Sequence, residues 1–210
     1  MAVITSYATL QTAVADYLAR DDLASYIPNF IQNAENKLYR SINLRNEETA
    51  LSVSISSGLA TVPTGSGVEF KALKFAYYDA TPVHPLQWVS IEELYRDYPN
   101  RSTSTTSPSV ISREGTSFIF GPAAADGTLK GIYYAKKAGL RTTDPSWYVT
   151  NAPDVLLYAS LLEAEPFIKN SAQIVVWQQF LIDAMDTLKE EQNNAETSFG
   201  GLIQRSGIMP

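Results

Sequence analysis

The stretch Asn151-Ala-Pro-Asp-Val-Leu-Leu-Tyr-Ala-Ser-Leu-Leu-Glu-Ala-Glu-Pro-Phe-Ile168 decides how the chain folds. Val155, Leu156, Leu157, Tyr158, Ala159, Leu161, Leu162, Ala164, Phe167 and Ile168 leave it almost no polar face at helical spacing. A helix apolar nearly all round is buried among partners, not laid on a surface. Beyond Pro166 a second long helix is expected to about Phe199. Ile174, Trp177, Leu181, Met185 and Leu188 recur there at steps of three and four, with Gln178, Gln179, Asp183, Asp186 and Lys189 off the stripe.

Partners for the buried helix come from the other end of the chain. Thr5 or Ser6 is placed to cap a first helix running to about Arg20, whose face is Tyr7, Leu10, Val14, Tyr17 and Leu18. Asp21-Asp22 caps a further helical stretch with the stripe Leu23, Ile27, Phe30, Ile31, Ala34 and Leu38, and Glu35, Asn36 and Arg40 off it. Pro28 does not belong inside a helix, so a turn at 22–27 and a main helix from 28 are expected. The fold class this predicts is α+β. It is a four-helix bundle built from both chain ends, 1–45 and 146–199, with an inserted antiparallel β domain at 46–145 and an extended C-terminal tail at 200–210.

The period changes in the middle. Leu51-Ser-Val-Ser-Ile-Ser alternates strictly, as a strand with one buried face does. Ser57-Gly58 turns it back into Leu59–Val62, which Pro63 closes. Phe70–Tyr78, Val110–Arg113, Phe118–Phe120 and Leu129–Ala135 are the other expected strands, with Ala125-Asp126-Gly127 as a turn before the last. Ser90-Ile-Glu-Glu-Leu-Tyr-Arg-Asp-Tyr is a short helix with Ser90 as cap and Glu93 three residues on. Arg101-Ser-Thr-Ser-Thr-Thr-Ser-Pro-Ser has nothing to bury and is expected to be an exposed loop. Gly200-Gly201 stops the last helix. Leu202, Ile203, Ile208 and Met209 follow in a segment too short for a core, which either frays or adds to another surface as an extended strand.

Composition excludes several function classes. With 210 residues and 45% hydrophobic content the chain can bury one or two cores. It has no cysteine, which removes disulfides, thiolate metal sites and cysteine nucleophiles, and the single His84 removes sites needing two imidazoles. No apolar run reaches the ~18 residues of a membrane span, and the first residues lack the basic and apolar regions of a signal peptide. A soluble protein made in the cytoplasm is expected. The net charge of −6 is the wrong sign for a protein that grips DNA by its phosphates, though an acidic wall suits DNA sliding past.

Order and spacing resemble the head-to-tail adaptor (head completion or connector) family of short-tailed phages, of the tail-tubular-protein-A kind. The resemblance is carried by Trp147 … Pro153-Asp154 … Tyr158 … Leu161-Leu162-Glu163-Ala164-Glu165-Pro166-Phe167 … Trp177 and by Ile27-Pro28-Asn29-Phe30-Ile31 … Ala34-Glu35 … Leu38 … Arg40 … Leu44-Arg45. Ser90-Ile-Glu-Glu-Leu … Tyr98-Pro99 and Gly121-Pro122 … Gly127 … Tyr133-Tyr134 add to it, and it covers about 5–199. It implies a non-enzymatic structural protein of the virion, a homo-oligomeric ring of about twelve copies beneath the portal protein. The ring would extend the DNA channel and receive the tail nozzle protein and fibres. Genomic DNA would pass without specific binding, and no membrane or cofactor would be involved. The helical part would build the ring, with Tyr7, Tyr17, Tyr26 and Tyr39 as contact residues. The C-terminal tail would reach the portal, making Leu202, Ile203, Ile208 and Met209 the docking residues.

Each chemical signal has an ordinary structural reading beside it. His84, between prolines, has no nucleophile or orienting acid near it in sequence. Glu163 and Glu165 point about 200° apart on a helix, whereas glycosidase chemistry needs two carboxylates converging on one bond. The alternative function they would support is a virion-associated peptidoglycan hydrolase with Glu163 or Glu165 as acid. The structural reading makes Glu163 a ring-interface or buried carboxylate paired with Arg40, Arg45 or a neighbouring subunit. A third function class is a binding module with a β-sandwich ligand face. Asp21-Asp22 lacks the alternating oxygen ligands of a calcium loop. Trp147 and Trp177 could stack a sugar, but Trp177 lies on the apolar stripe and belongs to the core. Gly65-Ser-Gly67 lacks the lysine of a phosphate loop. No catalytic, cofactor-binding or metal-ligating set is assigned.

Overall fold

The computed structural model describes residues 3–65, 68–99, 107–168 and 171–197. The expected docking tail, the Gly200-Gly201 stop, Ser66-Gly67 and Arg101–Thr106 therefore lie outside the described residues. The helices are α1 (Tyr7–Leu18), α2 (Ile27–Ser41), α3 (Ile91–Asp97), α4 (Trp147–Asn151), α5 (Pro153–Ile168) and α6 (Ser171–Thr197). The strands are β1 (Glu48–Ser56), β2 (Leu59–Thr61), β3 (Thr64–Gly65), β4 (Val68–Tyr78), β5 (His84–Pro85), β6 (Gln87–Trp88), β7 (Val110–Glu114), β8 (Ser117–Gly121) and β9 (Gly127–Lys137). They form two compact units, one of Met1–Asn43 with Ala138–Pro210 and one of Leu44–Lys137.

In the helical unit, local chemistry sets the helix starts. Ser6 caps α1 through a reciprocal box: its hydroxyl accepts from the Thr9 N–H, and the Thr9 hydroxyl accepts from the Ser6 N–H at 2.9 Å. The next free amide, Tyr7 N–H, donates to Asp144 Oδ1 at 2.8 Å and so ties the start of α1 to a residue far away in sequence. Ala19 closes α1 in the left-handed conformation. Asp21-Asp22 opens a short 3₁₀ turn, Asp21–Leu23, rather than capping α2. α2 begins one residue before Pro28, which sits in the first turn where its missing N–H costs nothing.

The expected four-helix bundle is not what forms. A bundle needs helices that each turn one stripe toward a shared axis. α5 instead buries Val155, Leu156, Leu157, Ala159, Ser160, Leu161, Ala164 and Glu165, which between them point in every direction around the helix. It takes the centre, and α1, α2, α4 and α6 each pack on it. The 27-residue α6 buries Trp177 and Leu188 against this centre while Val175, Val176, Phe180 and Ile182 stay exposed.

In the sheet unit the nine strands run in the order β3-β4-β9-β1-β2-β8-β7-β6, with β5 paired to β4. The sheet is mixed, not antiparallel as expected, because β6 and β7 pair in parallel. Parallel neighbours need a crossover, and the segment between these two contains the short helix α3, capped by Ser90 Oγ on the Glu93 N–H. It is one curled sheet, not a sandwich. β4 and β8 lie four strand positions apart, about 19 Å in a flat sheet, yet the Phe70 and Phe118 rings are 5.3 Å apart edge-on. Two bulges in β4, at Phe70/Ala72 and Leu73/Phe75, help it bend. The curl encloses Leu51, Ile55, Ile111, Phe118, Phe120 and Leu129.

Bending β4 brings its backbone over β9. A Cβ on Gly131 would lie 2.1 Å from the Phe75 carbonyl oxygen and 2.8 Å from Ala76 Cα, both backbone atoms that cannot swing aside. Gly131→Ala is expected to cost about 1–3 kcal/mol, measured as a lower urea midpoint. An unchanged midpoint would mean that β4 does not cross β9 this closely.

Candidate assembly surface

The helical unit presents its largest apolar side chains to solvent along α6. Val175 and Ile182 lie two turns apart on one line of the helix, and Val176 and Phe180 lie one turn apart on another. Phe180 is 44% exposed, yet its ring also stands 5.4 Å from Tyr158 and 6.1 Å from Trp177, so the core's aromatic stack continues out to the surface. Phe167, near the end of α5, is exposed beside Tyr26 at 4.8 Å and Phe30 at 5.8 Å. Single exposed apolar residues are ordinary, but neighbouring ones such as Val176 and Phe180 are candidates for a contact surface; Gln179 and Asp183 separate them from the Val175–Ile182 line. Further along α6 the exposed residues turn acidic, with Asp183, Asp186, Glu190 and Glu191.

A groove opens where α2, α5 and α6 diverge. It has a volume of about 260 Å³, floored by Ala34, Leu38, Ala159, Leu162, Leu181 and Met185. Lys37 and Glu163 line it too and form an ion pair across α2 and α5. The volume lies just below the ~300–1,000 Å³ of small-molecule sites, and the lining is almost wholly apolar.

The structure separates the expected ion-pair residues. Glu163 is half-buried and accepts from Lys37, not from Arg40 or Arg45. Arg40 is exposed and its Nε donates at 3.0 Å to the Asn36 carbonyl on its own helix. Arg45 opens a 3₁₀ turn of the sheet unit, where it is also exposed. The fully enclosed acid of α5 is Glu165, which accepts from the Trp177 indole N–H at 2.9 Å. Trp177 is thus both core ring and hydrogen-bond donor, and it stands edge-on to Tyr17 at 5.6 Å. Trp147 is half-exposed and meets Tyr148 edge-on at 5.5 Å. His84 pairs with Tyr78 in the sheet register.

Several positions were not legible in the sequence. Glu35 is placed off the α2 stripe by helical spacing but is buried, both oxygens accepting from the Leu140 N–H at 3.0 Å. Burial raises its pKa, and the Leu140 bond only partly offsets this. Glu47 is likewise buried, bound to Lys71 at 2.8 Å, and burial again raises its pKa more than Lys71 lowers it. Of the four tyrosines expected at a contact surface, Tyr39 is in the core, edge-on to Tyr148 at 5.5 Å, whereas Tyr26 is exposed. The exposed apolar residues of α6 were overlooked because a single stripe explained the helix. The available signal was the apolar residues left over beside it, Val175, Val176, Phe180 and Ile182.

Among the described residues no group of three or more His, Asp or Glu is placed to hold a metal ion, and no helix is long and apolar enough to cross a membrane. The family model described as SU10 adaptor protein matches residues 5–205. No curated protein matches the chain.

The Glu165–Trp177 bond joins α5 to α6 through Glu165 Oε1, and Glu165 Oε2 has no hydrogen-bond partner among the described residues. Trp177→Phe keeps a ring in the stack but removes the N–H, at an expected cost of about 1–3 kcal/mol. Trp177→Ala also opens a cavity and is expected to cost about 3–5 kcal/mol. Adding Glu165→Met to Trp177→Phe recovers much of the loss, since no buried carboxylate is then left unpaired. Chemical denaturation measures all three. A Phe variant as stable as the original would show that the bond contributes nothing.

Proposed function

The chain belongs to the SU10 adaptor protein family, an adaptor family of phage head–tail connector type, and from that premise we propose how it works in the virion. It is a structural protein of the phage head–tail junction. In the proposed arrangement about a dozen copies close into a ring beneath the portal protein, the ring extends the DNA channel, and the tail nozzle and fibres attach below it. The contacts are structural, and no catalytic step or cofactor is needed.

The observation that carries this reading is the pair of exposed apolar side chains, Val176 and Phe180, one turn apart on α6. A ring protomer needs two different surfaces that meet head to tail and close by rotation. Val176 and Phe180 are proposed to lie in one of them, the Phe180 ring backed by Trp177 and Tyr158. Buried aromatic anchors carry most of the energy in protein interfaces, and Phe180 is shaped for that part. The acidic balance of the chain supports a channel that does not hold DNA. Leu202, Ile203, Ile208 and Met209 are proposed to dock on the portal. At even ~1–2 kcal/mol per copy, many identical tails on one symmetric partner act as a multivalent clamp.

The hydrolase alternative would need Glu163 or Glu165 free to donate a proton to substrate. Glu163 is bound to Lys37 and Glu165 is enclosed behind Trp177.

The test mixes the protein with its portal and images the product by electron microscopy. The original protein is expected to add a ring to the portal. A Val176→Asp variant is expected to keep its thermal midpoint within a few degrees, because that side chain is exposed and stands outside the aromatic stack, yet to add no ring. A ring formed by that variant would remove α6 from the interface.

A further inference from the structure

Between α2, α5 and α6 the core is incomplete: Ala34, Leu38, Leu181 and Met185 face a groove that no described residue fills. We infer that in the unassembled protein this groove is the docking site for the chain's own C-terminal segment, with Ile208 and Met209 filling it. This goes beyond the adaptor assignment and does not depend on what the segment meets after assembly.

Reach is the first argument. α6 ends at Thr197, and Met185 and Leu181 lie twelve and sixteen residues back along it, about 18 and 24 Å at helical rise. An extended chain covers at most ~3.3–3.6 Å per residue. Ile208 and Met209, eleven and twelve residues beyond Thr197, can therefore span about 36–43 Å, enough to turn and come back to the groove. Leu202 and Ile203, five and six residues beyond, span about 17 and 20–22 Å and fall short of Leu181, so the distal pair is the one that can fill the groove.

Size agrees. A groove of about 260 Å³ is smaller than a usual small-molecule site and is apolar but for Ser41 and the Lys37–Glu163 pair; it suits a pair of apolar side chains. A tether this short gives an effective concentration near millimolar, so the chain's own segment outcompetes a second copy at micromolar protein. Docking elsewhere would require Ile208 and Met209 to leave the groove, which makes the occupied groove a competitor of assembly.

The absence of native cysteine makes the test direct. Ser41→Cys, in the groove lining on α2, is combined with Gly207→Cys, beside Ile208, in the full chain at micromolar concentration under mild oxidation. The expected product is a monomeric internal crosslink whose yield does not change on tenfold dilution. Adding Ile208→Asp/Met209→Asp is expected to slow crosslinking about tenfold. Crosslinked dimers that disappear on dilution, no crosslink at all, or a crosslink indifferent to the two aspartates would each overturn the inference. Ring formation on the portal is scored separately, so its failure leaves this result standing.

Discussion

A helix with no polar side cannot lie at a surface, and the helical unit is arranged around that constraint. α5 buries side chains in every direction. Covering it takes more than one neighbour, and the chain supplies α1 and α2 from its beginning and α4 and α6 from the residues around it. Two interactions between residues distant in sequence hold these elements in register. Glu35 of α2 accepts the Leu140 N–H, and Asp144 accepts the Tyr7 N–H at the start of α1. Both place a carboxylate oxygen on a backbone N–H; at Leu140, where water is excluded, leaving that donor unpaired would cost about 1–3 kcal/mol, whereas the Tyr7 bond is exposed.

Putting α5 at the centre has a consequence for α6. As an outer helix, α6 needs only one buried stripe, and Trp177 and Leu188 provide it. Val175, Val176 and Ile182 are left exposed, as is part of Phe180, whose ring continues the Tyr158–Trp177 stack, and exposed apolar side chains raise the risk of unwanted association. Their presence is economical if another surface covers them in the assembled particle. The sheet unit follows a different logic. Its core is enclosed by one sheet bending on itself, so that Phe70 of β4 reaches Phe118 of β8.

Much of this is legible in local sequence pattern and little of it in long-range geometry. The alternation of Leu51, Val53 and Ile55 announces β1, and Ser90 with Glu93 announces α3, because each signal is contained within a few residues. The two-residue strands β3, β5 and β6 have no such window, and they are held by their neighbours instead. The parallel pairing of β6 with β7 is invisible until α3 is recognised as a crossover. The central place of α5 was implicit in its all-round apolarity, yet counting helices suggested a bundle. Ion pairs were the least legible part: Glu163 had Arg40 and Arg45 as basic candidates, and only the packing of α2 on α5 brings Lys37 to it instead. Glu35 shows the same limit, since a carboxylate beside the stripe of an amphipathic helix gives no sign that an amide from residue 140 will meet it. The adaptor family, by contrast, was readable because its signal is spread over nearly the whole chain.

The most direct test of a central α5 is native-state hydrogen exchange on the isolated protein. Amides of α5 from Leu156 to Leu161 should exchange only through full unfolding of the helical unit, with the same free energy as those of α2 from Ile31 to Leu38. If α5 opens in a separate, cheaper step while α2 stays protected, the helix is not the centre that the rest is built around.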